Sequence, residues 1–164
     1  MGIPKWADVC EIEMTVIAGN DLVAKDRNLL GRKTTSDPYV EVYLEDSIIL
    51  HGKTKTIYKN LNPEWNTKFK FWISDPWKVT LKIYDEDKMS SPDLMGVVTV
   101  NVKPVDGGDQ TAWYEVPKDS AKNAKGKLQL RFKTKLLQPK RMVMKNGIVK
   151  LNPKYKIWQQ SKKK

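Results

Sequence analysis

Polar and apolar residues alternate one by one along much of residues 1–134. In 11–18 (EIEMTVIA) the apolar positions Ile12, Met14 and Val16 fall on one side. In 78–84 (KVTLKIY) Val79, Leu81 and Ile83 do the same. A period of two is the pattern of strands with one face buried and one face wet. Six further runs are β-branched, aromatic or alternating: 39–44 (YVEVYL), 53–58 (KTKTIY), 68–73 (KFKFWI), 95–102 (MGVVTVNV), 112–116 (AWYEV) and 126–134 (GKLQLRFKT). Pro, Gly, Asn and Asp fill the gaps between them, as turns require. No segment shows a strong helical period. The prediction is an all-β chain, an eight-stranded antiparallel β-sandwich. The large aromatic residues Tyr39, Trp65, Phe71 and Trp72 are expected in its core.

The alternation stops near Leu136. From Lys135 onward there are ten Lys/Arg and no Asp/Glu, which leaves 20 basic and 19 acidic residues in 1–134. The net charge of +11 is therefore almost wholly a property of the tail. The chain divides into an N-terminal extension (1–9), the sandwich (10–134) and a basic tail (135–164). A short strand at 147–151 (GIVKL) is one feature expected within the tail. Ten positive charges with Tyr155 and Trp158 fit an anionic membrane surface or a protein partner. Nucleic acid is not the expected partner.

Composition removes several classes. No apolar run approaches the ~20 residues of a membrane span. The start, MGIPKWADVCEIEM, lacks the apolar core of a signal peptide. Cys10 is the single cysteine, so no intrachain disulfide forms, and a cytoplasmic setting is expected. His51 stands apart from Cys10 and reads as a turn residue. There is no G-x-S-x-G, no P-loop and no kinase signature, so the chain is not expected to be an enzyme.

Two loops collect aspartates. The loop before Tyr39 offers Asp26 and Asp37. The loop after Tyr84 offers Asp85, Asp87 and Asp93. At one end of an antiparallel sandwich these loops can lie side by side, which would gather five carboxylates. Clustered like charges repel unless a cation neutralises them. Calcium suits such a set, since it prefers oxygen and accepts six to eight loop-borne ligands in flexible geometry. Magnesium wants a tighter octahedron, and zinc wants Cys and His.

The strings SDPYVEVYL (36–44), KTKTI (53–57), LNPEWN (61–66), IYDED (83–87) and PDLMG (92–96) resemble, in order and spacing, the C2 domain of protein kinase C and synaptotagmin. The resemblance covers about residues 10–134. It implies an eight-stranded sandwich, here in the permuted topology in which the last strand replaces the other variant's first. It also implies calcium bound by Asp26, Asp37, Asp85, Asp87 and Asp93, with main-chain carbonyls near Lys25 and Glu86 as further ligands. The function implied is calcium-dependent docking on anionic phospholipid, peripheral to the membrane. Leu29, Leu30 and Met89 would enter the lipid from the loop tips, beside Arg27, Arg32, Lys33 and Lys88. Lys53 and Lys55 would add a second lipid contact. Glu41 and Tyr43 stand where phosphoinositide-binding members carry lysines. The stretch from Asp26 to Asp37 is longer than the family's usual loop, which leaves Asp21 as a competitor of Asp26. Two other roles remain open: the regulatory domain of a larger lipid-signalling enzyme, and a calcium-independent protein-interaction scaffold.

Overall fold

A computed structural model describes residues 9–137, 142–145 and 148–151. Its strands are β1 (Val9–Asn20), β2 (Asp26–Arg27), β3 (Lys33–Thr35), β4 (Pro38–Leu44), β5 (Gly52–Lys53), β6 (Glu64–Ile73), β7 (Lys78–Asp85), β8 (Asp93–Asn101), β9 (Gly108–Glu115), β10 (Lys127–Leu137), β11 (Met142–Lys145) and β12 (Ile148–Leu151). Eight of them build two four-stranded sheets, in the orders β6-β1-β10-β9 and β5-β4-β7-β8. Every pairing within these two sheets is antiparallel. The last sandwich strand, β10, runs beside the first, β1. The predicted all-β sandwich is the fold observed.

The alternation read from the sequence is the inner face. Ile12, Met14 and Val16 from β1, Leu128 and Leu130 from β10, Val40 and Val42 from β4, and Val79, Leu81 and Ile83 from β7 are all fully buried. They meet between the sheets as one apolar cluster. A buried Leu or Ile contributes roughly 1.5–3 kcal/mol. Losing even a few would unfold a domain whose net stability is on the order of 10 kcal/mol. Cys10 lies in the same cluster as a free thiol.

Three sequence expectations change. Trp72 is not a core residue. Phe71 and Ile73 are buried, so strict alternation turns Trp72 to the solvent face, where 39% of its surface is exposed. The strand expected over 53–58 shrinks to Gly52–Lys53. Beyond Lys53 the chain leaves the ladder because the Thr54 side chain accepts the Val40 N–H at 2.9 Å. Lys55 therefore does not share a strand with Lys53. Finally, β10 continues three residues past 134, since Lys135, Leu136 and Leu137 pair with Glu11, Cys10 and Val9. The strand expected at 147–151 appears as β12, paired with β11.

One turn depends on glycine. Gly126, just before β10, has φ of 86°, and a Cβ there would sit 2.4 Å from the Asn20 carbonyl oxygen. Gly31 is also left-handed at φ 76°, but nothing lies near its Cβ position. Gly126→Ala is thus expected to cost at least about 2 kcal/mol, and Gly31→Ala about 1 kcal/mol. Urea unfolding of the two variants measures the difference, and equal losses would contradict the steric account.

Candidate metal centre

Register creates the site. Along one cross-strand row, Pro38 of β4 pairs with Asp85 of β7, and Asp85 pairs with Asp93 of β8. Asp37 directly precedes Pro38, so the β4 entry and the β7 exit bring their aspartates together. The Asp37 N–H donates to Asp85 Oδ1 at 2.7 Å, and the Glu86 N–H donates to the Asp37 carbonyl at 2.9 Å. The loop between β5 and β6 contributes a third support, where the Lys59 N–H donates to Asp37 Oδ1 at 2.7 Å.

Asp26 comes in from the long first loop. The residues RNLLGRKTT do not displace it. They fold into a small hairpin, β2–β3, in which Asp26 pairs with Thr35 and Arg27 with Lys33. Asn28 closes the tip by accepting the N–H groups of Leu30 and Arg32, each at 3.0 Å. Buried Ser36 ties the base, donating to the Val23 carbonyl at 2.9 Å and accepting the Lys25 N–H at 2.7 Å. The competitor Asp21 is held elsewhere. Its Oδ1 pairs with Lys125 Nζ at 3.1 Å, and its N–H donates to Asn62.

As a result, Asp26, Asp37 and Asp85 each place a carboxylate oxygen within 4.8 Å of the others. Asp87 and Asp93 are at the same end but outside that group of three. Asp87 is engaged locally, accepting the Met89 N–H at 2.8 Å and the Ser90 hydroxyl at 2.6 Å. Those bonds hold its carboxyl below the usual range. Asp85 behaves in the opposite way. Burial first, and then the neighbouring Asp26 and Asp37, raise its carboxyl to about 7, against the lowering effect of the Asp37 N–H. Asp26 is also raised, first by burial and then by the fields of Asp37, Asp87 and Asp93, although its hydrogen bond with Asp85 opposes this.

Three convergent carboxylates, one of them buried, form an all-oxygen donor set that destabilises itself without a cation. That chemistry fits calcium. Lys25 and Glu86 flank the cluster in sequence. The Lys25 N–H is bound by Thr35 and Ser36, and its Nζ donates to the Lys122 carbonyl at 3.0 Å. Glu86 Oε2 is buried and finds no hydrogen-bond partner among the described residues.

The expected lipid-facing residues divide by position. Leu29, Leu30 and Met89 are 107%, 80% and 94% exposed in the two aspartate loops. Arg32 and Lys33 are exposed on the β2–β3 hairpin. Arg27 there donates to the Gly31 carbonyl at 2.6 Å. Lys88 lies over the Tyr58 ring at 5.4 Å, and Lys53 over Tyr39 at 5.4 Å. Lys55 is exposed just beyond the end of β5. On β4, Tyr43 donates to Glu41 at 2.5 Å, and Tyr39 stacks on Tyr84 at 5.8 Å. The supports Ser36, Lys59 and Ser90 were not foreseen, because a serine or a main-chain N–H carries no pattern that separates it from an ordinary loop.

Comparison with known proteins follows the same lines. The profile of the C2 domain matches residues 10–116. Multiple C2 and transmembrane domain-containing protein 1 of Rattus norvegicus is 36% identical over 126 residues, covering 76% of this chain. Rho GTPase-activating protein gacEE of Dictyostelium discoideum is 32% identical over 127 residues, covering 75%. The chain spans only 12% and 21% of those two proteins' lengths. Among solved structures, a single C2 domain of plant Extended Synaptotagmin 1 superposes with a TM-score of 0.64 at 30% identity, over 76% of this chain and 93% of that one. A calcium-bound structure of two C2 domains of Extended-Synaptotagmin 2 gives 0.62 at 25% identity, over 82% of this chain and 47% of that one.

The raised carboxyl of Asp85 has a pH consequence for the calcium-free protein. A folded-state value of about 7 against 3.8 means that the folded state binds more protons between those values. Stability is therefore present at low pH and lost as pH rises through about 7. In chelator, the thermal midpoint is expected to climb as pH falls from 8 to 5. Asp85→Asn keeps the acceptor for the Asp37 N–H and removes the titration, so its midpoint is expected to be flatter over that range and higher at pH 8. Differential scanning calorimetry reads both, and a wild-type midpoint that falls on acidification would contradict the assignment.

Proposed function

The chain belongs to the C2 domain family, and from that membership we propose that it is a membrane-targeting module that docks on anionic phospholipid when calcium fills the aspartate cluster. The observation that carries this reading is the convergence of Asp26, Asp37 and Asp85 at the base of the loops that expose Leu29, Leu30 and Met89. A carboxylate cluster at the base of an apolar tip is a contradictory surface for a lipid headgroup. The carboxylates repel it while the tips are suited to enter the layer below.

Asp26, Asp37 and Asp85 would hold the ion, with Asp87, Asp93 and the main chain at Lys25 and Glu86 as the remaining candidates. Bound calcium supplies positive charge at the cluster, which removes the repulsion and attracts phosphate or carboxylate oxygens of the lipid. The rest falls to the chain. Asp37 orients Asp85 through its N–H, Ser36 fixes the root of the first loop, and Asn28 keeps Leu29 and Leu30 at its tip. Arg32, Lys33 and Lys88 each add roughly 1 kcal/mol near an anionic leaflet. The module binds and does not catalyse, and it acts as a peripheral protein of the cytoplasmic membrane face. Among the described residues, no helix is long and apolar enough to cross a membrane.

Sedimentation with phosphatidylserine vesicles tests the reading. Binding is expected in calcium and is expected to be lost in chelator. Asp85→Asn should lower the apparent calcium affinity at least tenfold. Binding that is equal with and without calcium would refute the gating.

Replacing both Leu29 and Leu30 by Ser should weaken vesicle binding by roughly tenfold or more, since each buried leucine is worth about 1.5–3 kcal/mol. Calcium affinity measured without lipid should stay unchanged. Unchanged vesicle binding by that double variant would show that the tip does not enter the lipid.

A further inference from the structure

Away from the aspartate end, exposed aliphatic residues stand in two turns. Ile48, Ile49 and Leu50 lie in the turn 45–51, and Val105 lies in the turn between β8 and β9. The first group projects into water, whereas Val105 borders a cavity.

That cavity follows from how the sandwich closes. β8 is an edge strand of one sheet and β9 an edge strand of the other. Near the aspartate end the two edges meet. Gly96 lies so close to Val116 that a Cβ would collide with its side chain. Ser120 ties the same place, accepting the Val97 N–H at 3.0 Å and donating to the Pro117 carbonyl at 2.6 Å. At the other end, where the turn 102–107 crosses from β8 to β9, the edges leave a half-open cavity of about 160 Å³. Val100, Val102, Val105, Tyr114, Phe132 and Thr134 form its interior.

One wall of this cavity is chemically out of place. The inward row of β10 runs Leu128, Leu130, Phe132, Thr134. Thr134 is 8% exposed, and its Oγ1 is buried with no hydrogen-bond partner among the described residues. An unpaired hydroxyl in such a place costs stability that a valine of the same shape would not. Gly108 directly faces Thr134 across the ladder. A Cβ on Gly108 would collide with Thr134 Oγ1 and approach Val105 Cγ2 to 2.9 Å. The glycine therefore keeps the hydroxyl open to the cavity, as one polar point on an apolar wall.

Size and lining indicate what fits. An apolar cavity of about 150 Å³ holds one benzene ring. Phe132 and Tyr114 pack edge to face at 6.2 Å, so they offer a further ring the contacts it prefers. The Thr134 hydroxyl can donate or accept, which matches a phenolic hydroxyl. The charged lining residues, Lys103 and Asp109, are opposite in sign and lie at the exposed rim. Asp109 is already held there by Arg131 at 2.9 and 2.8 Å. The interior thus selects a neutral molecule.

We propose that this cavity is a binding site for a small neutral phenol, with its ring against Val100, Val105 and Phe132 and its hydroxyl bonded to Thr134 Oγ1. The site depends on neither the aspartate cluster nor the docking reading.

The probes are p-cresol and toluene, which differ by the hydroxyl, titrated separately into the full chain in chelator without lipid. Amide NMR shifts of Val105, Gly108 and Thr134 read occupancy. Saturation by p-cresol is expected, with affinity on the order of tenfold above that for toluene. Thr134→Val loses no hydrogen bond and should melt at no lower temperature than the wild type, with the preference for p-cresol cut to within about twofold. Val105→Trp, which fills the mouth from a partly exposed position, should abolish binding of both probes. No saturable shift up to the solubility limit of p-cresol would mean that the cavity holds water only, and would overturn the proposal. Equal affinity of the wild type for the two probes, or an unchanged preference in Thr134→Val, would overturn it too. Shifts of the same amides with protein concentration alone would make a second copy the occupant and refute the phenol assignment.

Discussion

Asp85 is a carboxylate with 2% of its surface open to water, at the end of a strand whose other inward residues are aliphatic. Burying an ionised group in such a place costs several kcal/mol unless partners satisfy it. The Asp37 N–H is one partner, but the Asp26 and Asp37 carboxylates beside it carry the same sign of charge. The cluster cannot relax by spreading apart. Asp85 is fixed between β4 and β8, Asp37 is pinned by Lys59, and Asp26 by the β2–β3 pairing. The apolar core sets the register, the register sets the carboxylate spacing, and the spacing creates an unmet electrostatic demand. A cation placed among the three carboxylates would meet that demand.

The same chain of causes explains what could be read in advance. Burial on one face leaves a period of two, so β1, β7 and β10 were visible from Ile12, Leu81 and Leu130 and their neighbours. The aspartates were visible because they fall in two loops, Asp26 and Asp37 in one and Asp85, Asp87 and Asp93 in the other. Trp72 was misplaced because its size spoke louder than its phase, whereas the pleat obeys phase. The 53–58 strand was overextended because alternating Lys and Thr satisfy the pattern, while the Thr54 hydroxyl competes with the ladder for the Val40 N–H. Whether Asp21 or Asp26 serves the site was undecidable from spacing. The answer lies in a contact across the fold, the pairing of Asp21 with Lys125, 104 residues away.

The long first loop shows how an insertion is absorbed near a site without disturbing it. Residues added between two ligands would ordinarily raise the entropy of holding them. Here the added residues pair with one another, and the Asn28 side chain caps the tip. The growth is directed outward, so the root at Ser36 and Asp37 keeps its geometry. A consequence is that Leu29 and Leu30 stand farther from the carboxylates than a minimal loop would carry them. That separation suits a surface in which charge is met first at the headgroups and apolar contact is made deeper.

An antiparallel sandwich has two sets of loops by construction, because every strand that leaves one end returns from the other. In this chain both sets carry exposed aliphatic residues, and they differ in the charge beside them. The end that gathers Asp26, Asp37 and Asp85 is acidic at its base, so its own charge opposes an anionic surface. The opposite end engages the acids nearest its apolar turn, Glu45 and Asp46, in a hydrogen bond and an ion pair. The two loop sets therefore differ in kind: one crowds like charges that repel one another, and the other neutralises its acids locally.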